Sequence, residues 1–390
     1  MKLYFSPVSW FRALIAVWLI IFLAACASTD NSEPPAPLTE IKNGLKFNQL
    51  LTIKTGAGIS SGSYNRQPLL IGDEILTVDA DGLIKKFDAN SGKLNWEYET
   101  NIQSITGLIG NDSIIIASSR NGELNVYDRI SDDLTLRWSA RLKSEIRSPP
   151  VFNSDSLFLR TVDGRLSSIS LAEGFIQWSV THQVPPLSLT GNSAPALYNE
   201  LVIAGFDDGK MAAFDQASGQ VAWEIAVSQP TGRSEIERLV DVDGQFIIRN
   251  GVIYVSSYQG RIAAIQAIDG EELWSRKFSS FNAMTMDDNA IYISSDISHI
   301  WSIDQRTGSA LWKQDVLNAR KISAPLLFED KIIVGDLDGY IHWFNQSDGA
   351  LIGRLRPNNK RHYSTPFKWD NQIFAMDSDG TLSSFKLIQK

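Results

Sequence analysis

The chain repeats itself, and the period limits its architecture more than any other feature. A turn dipeptide recurs as Asp81-Gly82, Asn121-Gly122, Asp163-Gly164, Asp208-Gly209, Gln259-Gly260, Asp338-Gly339 and Asp379-Gly380, with Ser298-His299 in the sixth register. An apolar-then-polar pair follows at a fixed distance, as in Phe87-Asp88, Tyr127-Asp128, Phe214-Asp215 and Phe344-Asn345. In several units Gly and then Trp come next, and Trp96, Trp138, Trp178, Trp223, Trp274 and Trp312 are 42, 40, 45, 51 and 38 residues apart. Pro68, Pro150, Pro195, Pro325 and Pro366 each stand 14 residues before a turn glycine. Residues 47–390 therefore divide into eight units of 43 residues, a period that belongs to stacked or ring-closed repeats.

Each unit reads as four short strands. β-branched runs such as Ile114-Ile115-Ile116-Ala117 and Ile291-Tyr292-Ile293-Ser294 are bounded by Gly, Asp and Asn turns, which are strand and hairpin signals. Helical spacing is absent through most of the chain. Four strands in about 40–45 residues is the arithmetic of a β-propeller blade, so the expected fold is all-β, an eight-bladed propeller of four antiparallel strands per blade. A proline opening the first strand suits an edge with no partner for the missing N–H. The aromatic on the fourth strand suits the gap between neighbouring blades, so the six tryptophans are expected to dock blade on blade. The last unit stops at Phe385-Lys386-Leu387 after its third strand, and Leu50-Leu51-Thr52-Ile53 precedes the first unit. Joining the two completes blade eight, with Leu51 in the place of Trp, and removes an open edge. Gly353 stands where blade seven should carry its Trp, and a weaker contact is expected there.

Composition removes whole classes of chemistry. With 43% hydrophobic and 21% charged residues, 27 Gly and 14 Pro, the chain is neither disordered, collagen-like nor a polytopic membrane protein. Its net charge of −8 argues against nucleic acid as a partner. One cysteine permits no intramolecular disulfide, thiolate zinc cluster or iron–sulfur site. The histidines at 182, 299, 342 and 362 share no ligand spacing, so no metal is expected. Asp79, Asp336 and Asp377 open Asp-x-Asp-Gly pieces that lack the last ligands of a calcium loop and read as turn formers. No nucleophile elbow or phosphate loop appears, and no catalytic residue is expected.

Lys2 and Arg12 precede the apolar run Ala13 to Phe22, and Leu23-Ala24-Ala25-Cys26 follows, which describes a signal peptide over residues 1–25. Leu-Ala-Ala-Cys resembles the bacterial lipobox. That resemblance implies cleavage before Cys26 and its acylation, and Ala27 in the next place implies the outer membrane, periplasmic face. Residues 26–40, with several Pro, Ser and acidic side chains, are expected to be a lipidated flexible tether, and residues 41–390 the propeller.

Two family resemblances follow. Ala213-Phe214-Asp215…Ser218-Gly219…Trp223 resembles the tryptophan-docking motif of quinoprotein dehydrogenase propellers, which usually pair neighbouring cysteines over their cofactor. This chain has none to spare, and no cofactor is expected. The longest inter-blade segments, His182 to Ser193 and Gln229 to Gly244, both join a fourth strand to the next first strand and so should emerge on one face of adjacent blades. Val184-Pro185-Pro186-Leu187-Ser188-Leu189 and Thr231-Gly232-Arg233-Ser234-Glu235-Ile236-Glu237-Arg238-Leu239-Val240-Asp241-Val242-Asp243 resemble stretches of the BamB family, the lipoprotein propellers of the machinery that inserts β-barrel proteins into the outer membrane. The resemblance implies a non-enzymatic scaffold whose two loops dock on the POTRA domains of BamA, with nascent outer-membrane proteins as further partners. It implies contacts at Leu187, Leu189, Asp241 and Asp243, with Arg238 in the same stretch and Thr190 where the family pattern has Arg. Ser234 to Leu239 suits one short helical turn. A propeller that binds peptidoglycan or another periplasmic protein, or a quinoprotein dehydrogenase, are the alternatives.

Overall fold

The structure, a computed structural model, describes residues 33–388 apart from 42–43, 57, 59–66, 131–132, 147, 186, 188–192, 230–239, 243 and 363. Among the described residues there are thirty-two strands in eight four-stranded antiparallel sheets, and no helix. The fold is an eight-bladed β-propeller. In blades one to seven the sheet order follows the chain. The middle two strands are the most buried: Lys210–Asp215 is half-buried only at its ends, and Val202, Ala204, Ala212 and Phe214 pack with Phe158 of the previous blade. Each proline of the fourteen-residue offset sits one residue before an innermost strand, as Pro195 before Ala196–Tyr198 and Pro325 before Leu326–Phe328. No ladder partner is lost there.

Ring closure has the expected form. Phe47–Lys54 pairs antiparallel with Thr381–Leu387 and completes blade eight as its outermost strand. Leu51 lies opposite Ser384, the register in which Trp178 lies opposite Ser168 and Trp223 opposite Ala213. A bulge follows each of these pairs. Leu51 and Ile53 cover Gly92 of blade one.

Two expectations change. The tether does not extend to residue 40, because the folded body begins at Ala36. The Ala36 amide donates to the Asn318 carbonyl (2.9 Å), and Arg320 and Arg354 donate to the carbonyls of Ala36 and Thr39 (3.0 Å each). Leu38 packs among Tyr292, Leu317 and Phe344, an apolar anchor in an otherwise polar run. The gap at Gly353 is also filled. The Leu45 amide donates to Ile352 O (3.0 Å), Leu45 and Phe47 lie where a side chain at Gly353 would go, and the Phe47 ring sits 4.0 Å from that of Trp343. The N-terminal segment supplies from outside the blade the apolar volume that blade seven lacks.

Candidate docking face

The connections from fourth to first strands and the turns between second and third strands emerge on one face of the ring. Three of the turns there are built by aspartates, and others by Ser119, Ser257 and Ser295. One carboxylate oxygen of Asp79 accepts from the amides of Asp81 and Leu83, and Asp336 and Asp377 do the same two and four residues on (2.8–3.0 Å). Among the described residues no group of three or more His, Cys, Asp or Glu is placed to hold a metal ion.

The connection after Ile176–Thr181 is pinned at its start. The His182 amide donates to Gly164 O (2.9 Å), its ring stacks on Phe206 at 3.7 Å, and Val184 packs on Gly164. The Arg160 guanidinium also lies 5.0 Å from the Phe206 ring centroid and pairs with Asp207 at 2.9 Å, both buried. Burial, opposed by Glu224 and Asp208, holds His182 below the ordinary imidazole pKa. Beyond this anchor Leu187 is 43% exposed, an apolar side chain left in solvent by its own loop. Leu189 and Thr190 lie outside the described residues, as do Arg238, Asp243, the Ser234 to Leu239 segment and Cys26 with the whole signal peptide.

Asp241 is not a surface charge. It is 1% exposed between Val240 and Val242, which are equally buried. Val242 packs on Gly205 and donates to Phe206 O (3.3 Å), Val240 packs on Gly209, and Asp241 O accepts from the Tyr258 amide (3.0 Å). The alternation Val-Asp-Val marks a stretch wedged between blades four and five. Any charge that this connection shows a partner comes from elsewhere in it.

The tryptophans tie each blade to the next away from this face, over the turns between third and fourth strands. The indoles of Trp138, Trp178, Trp223, Trp274 and Trp312 donate to carbonyls of Leu171, Gln216, Ala267, Gln305 and Gln346 in the next blade (2.8–3.1 Å). Trp96 differs: its ring faces Lys86 Nζ at 5.7 Å, and its indole N–H finds no partner among the described residues.

Sequence reasoning missed a buried polar cluster on the same face of blade seven. Asp336, fully buried, accepts from Arg320 (2.8 Å) and from His342 Nε2 (2.9 Å), while Arg354 Nε donates to His342 Nδ1 (3.2 Å). The Arg354 contact leaves the imidazole proton on Nε2, facing Asp336. Burial is the largest influence on His342 and lowers its pKa despite Asp336. Burial pushes the Asp336 carboxyl up, but the His342 hydrogen bond and the nearby positive charges outweigh it and leave it low. The signal was present: His342 interrupts the otherwise apolar run Ile341-His342-Trp343-Phe344.

Against known proteins, the family model described as outer membrane protein assembly factor BamB matches residues 80–314 and 300–387. The chain is 30% identical over 375 residues to the outer membrane protein assembly factor BamB of Bordetella pertussis, covering 95% of this chain and 96% of that one. The crystal structure of BamB from Moraxella catarrhalis superposes with a TM-score of 0.77 at 24% identity, over 87% of this chain and all of that one. A quinohemoprotein alcohol dehydrogenase from Comamonas testosteroni shares the fold alone, with a TM-score of 0.68 and 9% identity over 87% of this chain and 76% of that one.

Proposed function

The chain belongs to the outer membrane protein assembly factor BamB family, and from that premise we propose that it is a non-enzymatic scaffold of the β-barrel assembly machinery. In this reading Cys26 is acylated and anchors the protein to the inner leaflet of the outer membrane. The fourth-to-first-strand connections of blades three to five dock on the POTRA domains of BamA, and the propeller helps to present nascent barrel proteins. The observation that carries the docking site is Leu187, exposed beyond a firmly pinned loop stem. A rigid ring suits the task, because loops held in fixed relation lose little entropy on docking. Apolar anchors at the centre of such a patch carry most of the binding energy, about 2 kcal/mol or more each. Leu187→Arg combined with Leu189→Arg should abolish co-purification with BamA from detergent-solubilised envelopes, with circular dichroism and melting temperature unchanged. Normal recovery of BamA with that variant places the docking site elsewhere. A variant that unfolds makes the leucines part of the core.

A further inference from the structure

On the same face, across the ring from Leu187, the start of the folded body meets a basic loop. Arg320 holds the Ala36 carbonyl (3.0 Å) and reaches Asp338 (2.6 Å), and the Asp338 carbonyl accepts from Arg356 Nε (3.0 Å). The Arg356 guanidinium lies 4.8 Å from the Tyr340 ring centroid. The loop then folds over the blade-seven turn, where a side chain on Gly339 would strike the carbonyls of Asn358 and Lys360 at 2.7 Å. Arg320, Lys321, Arg354, Arg356, Lys360 and Arg361 thus gather at blades six to eight in a chain whose net charge is −8. Of the carboxylates there, Asp336 and Asp377 are buried, Asp338 and Asp379 are half-exposed and paired with Arg320 and Lys360, and Glu40 and Asp315 are exposed, Asp315 lying 3.6 Å from Lys313. Lys321, Arg356 and Lys360 are exposed.

We propose that this region is a membrane-contact surface, with Lys321, Arg356 and Lys360 facing the phosphates of anionic phospholipid headgroups. The inference rests on the lipid-anchor reading of Cys26. Nine residues separate Cys26 from Ala36, ten steps of chain that span at most about 35 Å, and Ala36 is one side chain away from the basic loop. A lipid anchor therefore delivers this part of the ring, before any other, to the bilayer surface. Attraction of a few basic residues to an anionic surface is weak alone, but anchoring makes the contact intramolecular and raises its effective concentration. The docking connections of blades three to five would then open along the membrane instead of towards the bulk periplasm.

The test uses the lipidated protein in vesicles of phosphatidylcholine alone or mixed with phosphatidylglycerol, each carrying a headgroup quencher. A fluorophore is placed at Asn359→Cys, and in a second protein at Asp370→Cys on the opposite face of blade eight; Cys26 is blocked by acylation. At position 359 quenching should be roughly twofold stronger with phosphatidylglycerol, should fall as salt is raised to about 1 M, and should weaken in Arg356→Glu with Lys360→Glu. Position 370 should respond to none of these. Equal quenching at 359 in both vesicles, or indifference to salt in the unmutated surface, overturns the proposal while flotation with vesicles upholds the anchor. Failure to float overturns the anchor reading, and the proposal with it. The salt series needs no charge-reversed variant and so does not depend on that variant folding.

Discussion

At five blade junctions a tryptophan covers a glycine of the next blade. Gly174, Gly219, Gly270, Gly308 and Gly349 have φ of +69 to +80°, and a Cβ on any of them would fall 2.4–2.9 Å from the indole atoms of the preceding blade's Trp. The residue pair is selected together: the turn needs a left-handed conformation, and the ring needs the empty space. This is why the Gly-to-Trp spacing was readable without a structure. Asp241 is the opposite case. In sequence it looks like an acidic loop residue, yet its neighbours Val240 and Val242 pull it under the blade junction. Asp241→Lys puts a long cation into that buried position and should lower stability by about 3–5 kcal/mol, read by chemical denaturation. A variant that keeps wild-type stability but loses a partner would restore Asp241 to the surface.

Among the elements, the strand Phe47–Lys54 has three tasks that other blades divide among their own residues. It closes the hydrogen-bond ladder of Thr381–Leu387, and its Leu51 replaces the missing tryptophan of blade eight. Its first residue, Phe47, also fills the space beside Gly353 against Trp343. Phe47→Ala leaves that volume empty and, at a half-buried position, should cost about 1–3 kcal/mol, while Gly353→Trp overfills the same space and should displace residues 44–47. Thermal melting of the two single variants and of their combination checks this. If the added ring takes Phe47's place, the double variant should recover part of the loss, whereas simple addition of the two losses would mean that they do not share one space. Closure was legible because the last unit lacks a strand and the first has one to spare. The hold on residues 36–39 was not, since it depends on Arg320 and Arg354, which are about 300 residues away in the chain.

The ring responds to acid through histidines in two places, His182 half-buried after blade three, and His342 and His362 buried at blades seven and eight. Burial is the largest influence on His182, His342 and His362 and holds all three below the ordinary value. The native state keeps these rings neutral while the unfolded chain gains protons below pH 6.5. Stability is therefore full above that pH and lost as pH falls towards the depressed folded values. Melting temperature across that range should fall, and His362→Asn should flatten the dependence; an equally steep curve in the variant would remove His362 from the account. By itself the sequence determined the repeat, the number of blades, the strand that closes the ring and the roles of glycine, proline and tryptophan, because each is a requirement of turn geometry, period or strand count that can be read along the chain. Only the tertiary structure decided which loop residues are exposed, where the body begins and how Asp336, His342 and two arginines come together. Those outcomes depend on contacts that occur once, between residues far apart in the chain, and burial at a junction is set by the neighbouring blade rather than by the residue's own surroundings in sequence.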